Sequence, residues 1–143
     1  MIKLFLDASV LFAAAYSAKG TARDLIVLAL NNRLITIASD LVLEEARRNL
    51  SYNYPEKAAI LDILLDQLYL TIVANPTKAQ VLAAAEYTAL KDAPIIAAAQ
   101  SAEVDHLVTY DRKHLLEPKI VAEKSGLSIV TPDMIVKLFG GDK

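Results

Sequence analysis

Two patterns of apolar residues alternate along the chain. Short runs rich in large aliphatic and β-branched side chains read as strands: IKLFL at residues 2 to 6, RLITIAS at 33 to 39, YLTIVA at 69 to 74, and DHLVTYD ending at Asp111. Longer Ala- and Leu-rich segments with helical spacing lie between them. ASVLFAAAYS follows the first strand, and KGTARDLIVLALNN sets Leu25, Leu28 and Ala29 on one face. A third helix is expected from about residue 40 to 50, and a fourth begins near Pro55. NPTKAQVLAAAEYTAL and DAPIIAAAQSAEV read as two helices meeting near Lys91, and LSIVTPDMIVKLF closes with a short strand and a helix. Strands that alternate with helices predict an α/β fold in three layers, a central parallel sheet with helices on both faces. No internal repeat or Gly/Ser linker divides the chain, so residues 1 to 143 read as a single domain.

Composition narrows the functional classes. Hydrophobic residues make up 55% and charged residues 22%, which excludes a disordered chain. Charges interrupt every apolar run before it reaches membrane-spanning length, and the N-terminus reads directly as a strand rather than as a secretory signal. With no cysteine, disulfides and thiolate chemistry are absent, and a cytoplasmic location is expected. The net charge of -2 leaves no broad basic footprint for nucleic acid. Any such contact must be local, and a cluster of acids would need bound cations before a polyanion could approach.

Four carboxylates stand where ligands gather in open parallel sheets, beyond the carboxyl ends of strands. Asp7 follows the first strand and Asp111 ends HLVTYD, although each position also suits a plain turn or helix cap. Asp92 precedes Ala93 and Pro94 at a helix start, again a cap position, yet Ile96 and Ala99 align it with an inward apolar stripe. In SDLVLEEARRNL, Glu45 shares a face with Leu41 and Val42, whereas Glu44 is placed for a surface ion pair with Arg48. Glu45 is therefore the better site candidate. Crowded carboxylates repel, and an all-oxygen donor set suits Mg²⁺ or Mn²⁺, ions that can activate water at a phosphodiester.

Other chemistries find less support. There is no GxGxxG or Walker A sequence and no close histidine pair. Ser9 lacks a glycine elbow, and His106 and His114, without a catalytic spacing, read as surface or partly packed groups. A receiver-like phosphohydrolase using Asp7 as nucleophile lacks a second acid two residues on.

FLDASVL, ASDLVLEEARRNL and DAPIIAAAQSAEVDHLVTYDRKHL, in this order through essentially the whole chain, resemble the PIN-domain ribonucleases, and within them the VapC-like toxins of toxin-antitoxin pairs. The resemblance implies a PIN-like α/β/α fold and Mg²⁺- or Mn²⁺-dependent endoribonuclease activity, a hydrolase acting on single-stranded RNA. By position it makes Asp7, Glu45, Asp92 and Asp111 the metal-binding, catalytic acids, in agreement with the reading from the residues. Ser9 and Thr109 would be supporting polar groups able to orient a metal-bound water, and Lys113 stands where some relatives carry a further acid. Arg47, Arg48, Lys91, Arg112 and Lys113 flank the acids and could meet phosphates, or be solvated surface charges. Tyr16 and Tyr110 could stack on bases, with core packing the preferred reading. An antitoxin protein and a homodimer are the partners implied, and a membrane is not. The alternative is a PIN-like module that binds RNA or protein without cutting it.

Overall fold

The computed structural model describes residues 1–140 and arranges five parallel strands in one sheet: β1 (Lys3–Leu6), β2 (Ile35–Ser39), β3 (Leu70–Val73), β4 (His106–Val108) and β5 (Ile129–Val130). Their spatial order is β3-β2-β1-β4-β5. The expected domain therefore lies within the described residues except for its last three positions. β1 is central, and Leu4, Phe5 and Leu6 are fully buried, as a strand covered on both faces requires. Leu4 lies opposite Thr36 of β2 and His106 of β4, and each following residue steps in register.

Among the described residues, eight α-helices accompany the sheet: α1 (Ala8–Tyr16), α2 (Thr21–Leu30), α3 (Asp40–Asn53), α4 (Pro55–Gln67), α5 (Lys78–Ala84), α6 (Ala93–Ala102), α7 (Lys119–Ser125) and α8 (Pro132–Leu138). By the right-handed rule for parallel crossovers, this strand order sets α1 to α4 over one face on the way from β1 to β3, and the return from β3 to β4 sets α5 and α6 over the other. The packing follows this division: α1 against α2, α3 and α4, α2 against α8, and α5 against α6.

Local chemistry accounts for the element ends. The Ser39 hydroxyl accepts from the Val42 N–H and starts α3, and Thr77 and Gln80 form a reciprocal capping box on α5. Pro55 and Pro132 open their helices, and Gly126, at φ +75°, closes α7 in the left-handed region that glycine tolerates.

Two expectations need correction, and one helix lies outside them. The fifth helix ends at Ala84 rather than near Leu90. Tyr87 and Thr88 are weak helix formers, and the chain reaches Asp92 through a succession of tight turns. α3 continues to Asn53, three residues beyond its expected end. The segment after Asp111 is a π-helical turn (Arg112–Leu116) followed by α7, which the sequence reading passed over despite Pro118 before it and Gly126 after it.

Candidate functional site

Because β1 and β4 are neighbours, their C-terminal ends are stitched together. The Asp7 N–H donates to the Val108 carbonyl at 3.0 Å, which sets Asp7 beside Thr109. One Asp7 oxygen, Oδ1, accepts from the Ala8 N–H at 2.7 Å and caps α1. The other, Oδ2, accepts from Thr109 Oγ1 at 2.6 Å and Ser9 Oγ at 2.9 Å. Each hydroxyl also accepts a backbone N–H, Ser9 from Tyr110 at 3.1 Å and Thr109 from Asp111 at 3.0 Å. A hydroxyl has one proton, and here both protons are directed at Asp7. Ser9 and Thr109 thus tie the carboxylate of β1 to the loop that carries Asp111.

Asp92 is held differently. It occupies the N-cap position of α6, yet its side chain makes no capping hydrogen bond. Its residue surface is 6% exposed, and Oδ2 is buried without a hydrogen-bond partner, with Lys91 Nζ 3.9 Å away. Ile96 and Ala99, the inward stripe below it, are completely buried as their spacing predicted. A buried carboxylate oxygen without a donor is costly unless a cation approaches it.

Asp111 caps the π-helical turn by accepting the His114 N–H at 3.0 Å, and His114 Nδ1 lies 3.4 Å from the same oxygen. One ligand atom each from Asp92, Asp111 and His114 lies within 4.8 Å of the other two. Glu45, on α3, is exposed and borders the same cleft. A cleft of about 490 Å³ is lined by all four acids together with Ser9, Phe12, Asn49, Asn53, Lys91 and Tyr110.

Electrostatics reflect the crowding. Burial raises the Asp92 carboxyl above its ordinary value; Lys91 opposes the shift, Asp111 adds to it, and a charged His114 would oppose it. Glu45 is raised as well, first by desolvation and then by Asp7, with Arg48 and Lys91 pulling the other way. Both shifts include repulsion from other acids of the cleft: Asp7 acts on each, Asp92 on Glu45, and Asp111 on Asp92.

The flanking cations divide. Lys91 lines the cleft, and Arg48 borders an adjoining recess with Glu44, Glu45 and Lys91. The expected Glu44–Arg48 ion pair is not among those of the described residues; Arg48 acts on Glu45 instead. Arg47 turns away to Asp62 on α4 at 3.0 Å. Arg112 is exposed on the π-helical turn, and Lys113 borders a different recess beside His114 and Tyr87. Tyr16 and Tyr110 are exposed rather than packed in the core. Tyr16 stacks on Phe12 and meets Tyr54 edge-on at 4.9 Å, while the Tyr110 hydroxyl bonds Thr21 at 2.7 Å, so each ring keeps its polar end near water.

The sequence reading missed three contributors. Asn49 and Asn53 follow Glu45 at four-residue intervals, a helical spacing that was legible in the sequence. His114 is partly buried, as a surface or partly packed group is expected to be, but its contact with Asp111 three residues away follows only once the local turn is known.

The donor set fits a hard divalent cation: carboxylate oxygens from separate elements converge, and one of them is buried and unpartnered. Comparison with known proteins agrees with the architecture. No curated protein gives a significant match to the chain. Among solved structures, PAE2754 from Pyrobaculum aerophilum superposes with a TM-score of 0.65 at 22% identity, covering 97% of this chain and 90% of that one. VapBC2 from Rickettsia felis, bound to a DNA fragment from their promoter, gives a TM-score of 0.63 at 17% identity over 91% of this chain and 98% of its own. Mycobacterium tuberculosis VapC20, a Sarcin-Ricin loop cleaving toxin, gives 0.56 at 18% identity over 77% and 91%. The PIN domain model matches residues 3–113, from the first residue of β1 into the π-helical turn, and the chain belongs to the PIN domain family.

Proposed function

We propose that this protein is a divalent-metal-dependent endoribonuclease that hydrolyses phosphodiester bonds of single-stranded RNA, and that it acts as the toxin of a toxin-antitoxin pair. The observation that carries the metal reading is the buried, unpartnered Oδ2 of Asp92 in a cleft shared with Asp7, Glu45 and Asp111. Asp7, Asp92 and Asp111 would hold the ion, with Glu45 completing the site directly or through water. Bound Mg²⁺ or Mn²⁺ supplies an activated water and stabilises negative charge on the reacting phosphate.

The rest of the chemistry belongs to the chain's own residues. Ser9 and Thr109 donate to the Asp7 carboxylate and so position it. Lys91 and Arg48 offer cations to the RNA backbone beside the acids. Asn49 and Asn53 extend the cleft with amides able to bond sugar or base edges. The toxin reading is supported by the likeness in fold to VapBC2 and VapC20. An antitoxin that presents a basic side chain to the cleft is the partner we expect.

The test is cleavage of an end-labelled single-stranded RNA panel with Mg²⁺, with Mn²⁺ and with EDTA, comparing wild type with Asp7→Asn from identical preparations. Cutting by wild type that EDTA and the substitution both abolish is the expected result. Equal cutting by the two proteins would overturn the assignment.

A further inference from the structure

We propose that His114, through Nδ1, is a nitrogen ligand of the same divalent ion, so that Asp92, Asp111 and His114 form a mixed oxygen and nitrogen donor set that favours a first-row transition ion over Mg²⁺. The inference rests on the metal reading above and extends it to a residue and an ion class.

The geometry of the π-helical turn is the first argument. The His114 N–H bonds Asp111 Oδ1 at 3.0 Å, which fixes the residue's backbone over the carboxylate, and the ring then presents Nδ1 to that same oxygen at 3.4 Å. This separation is too long for a strong N–H···O bond.

The second argument is the third corner. Asp92 Oδ2, buried and without a hydrogen bond, belongs to a different element, yet one oxygen of Asp92 lies within 4.8 Å of ligand atoms from both Asp111 and His114. Two carboxylates alone would suit Mg²⁺, which takes oxygen ligands and retains water. An imidazole nitrogen adds affinity mainly for later first-row ions, of which Mn²⁺ is the weakest binder and hence a conservative probe. The other histidine provides an internal control: His106 begins β4 at the opposite end of the strand, where Nδ1 bonds Ser128 Oγ at 2.8 Å.

The experiment is pulsed electron paramagnetic resonance of Mn²⁺ bound to the full chain, in natural-abundance protein and in protein with ¹⁵N-labelled histidine. The expected result is a histidine nitrogen coupling that changes with the isotope, survives His106→Gln and disappears in His114→Gln. His114→Gln is also expected to weaken Mn²⁺ binding about tenfold or more, while Mg²⁺ affinity changes little. Mn²⁺ that binds in an Asp92-dependent manner without histidine coupling would overturn the role of His114 and leave the carboxylate site standing. Absence of Mn²⁺ binding would overturn both. The labelled wild-type protein decides the question even if His114→Gln fails to fold.

Discussion

The two ends of the β1–β4 strand pair carry the same residue type in different circumstances. At the N-terminal end, Asp105 is exposed, and its Oδ2 accepts the Lys3 N–H at 2.7 Å while its own N–H donates to the Lys3 carbonyl at 2.8 Å. It is a local clamp. At the C-terminal end, Asp7 and Asp111 leave the same two strands and meet Glu45 from α3 and Asp92 from α6 in one cleft. The difference comes from topology. The order β3-β2-β1-β4-β5 sends the connections after β1 and β4 to opposite faces, and a crevice opens where they part. Acids at that edge are forced together, whereas an acid at the other edge is free to satisfy itself with backbone.

The largest effect that tests this contrast is on cleavage. Asp92→Asn is expected to lower the rate by about 100-fold or more, the scale of removing a group that stabilises developing charge, and Asp105→Asn to leave it unchanged. Stability of the EDTA-treated proteins should move the opposite way. Asp92→Asn removes a buried charge whose Oδ2 has no hydrogen bond and only the exposed Lys91 at 3.9 Å, and is expected to stabilise the fold by about 1 kcal/mol, while Asp105→Asn weakens a charge-assisted bond and costs up to about 1 kcal/mol. Urea unfolding of both variants checks this, and an Asp92→Asn protein less stable than wild type would break the comparison.

Next in size is the stabilisation by metal. Mn²⁺ at about 100 times its dissociation constant should add about 2.7 kcal/mol to unfolding. That gain should vanish in Asp92→Asn and persist in Asp105→Asn, as read by thermal melting with and without the ion.

How much of this was legible without coordinates depends on how local each cause is. The alternation of strands and helices, the place of Asp7 directly after β1, and the inward stripe through Asp92, Ile96 and Ala99 are legible in the sequence and the structure reproduces them, whereas β4 ends at Val108, three residues before Asp111. The wheel around Glu45 was right about the face and wrong about its depth. Val42 is buried, Leu41 is 43% exposed, and Glu45 stands at the rim. The contact of His114 with Asp111 depends on a π-helical turn, and the bonds from Ser9 and Thr109 to Asp7 on the pairing of β1 with β4. Those are long-range or irregular features, and residue spacing carries no sign of them. Arg47 shows the same limit from the other side, since only the α3–α4 packing reveals Asp62 as its partner.

A smaller effect concerns pH. Asp92 and Glu45 both have carboxyls raised above their ordinary values of 3.8 and 4.5, with burial the leading cause. A raised carboxyl favours the protonated form in the folded state, so its contribution is most favourable at low pH. Metal-free protein should therefore lose stability as pH rises from the ordinary carboxylate range through the raised values, where the cleft acids ionise against one another. Urea midpoints in EDTA across that window should fall for wild type and flatten for Asp92→Asn. Mn²⁺ should oppose the fall, because it offsets the charge that deprotonation creates.

The smallest effect separates cations inside the cleft from those beyond it. Lys91 lines the cleft with Nζ 3.9 Å from Asp92 Oδ2, and its side chain is 63% exposed, so it can reach both the acid and an approaching phosphate. Arg47 is on α3 two residues past Glu45, but its guanidinium is directed to Asp62, and both side chains of that pair are about half exposed. Lys91→Ala is expected to weaken RNA binding by about 1 kcal/mol and to reduce the slope of log affinity against log salt by about one. Arg47→Ala should change neither quantity and should cost at most about 1 kcal/mol of stability, the usual range for an exposed pair. Binding isotherms at several salt concentrations, with Asp7→Asn as the background to prevent cutting, measure both. Equal losses for the two variants would mean that the RNA path runs over the α3–α4 surface as well as through the crevice, and that proximity to the acids does not by itself select the phosphate contacts.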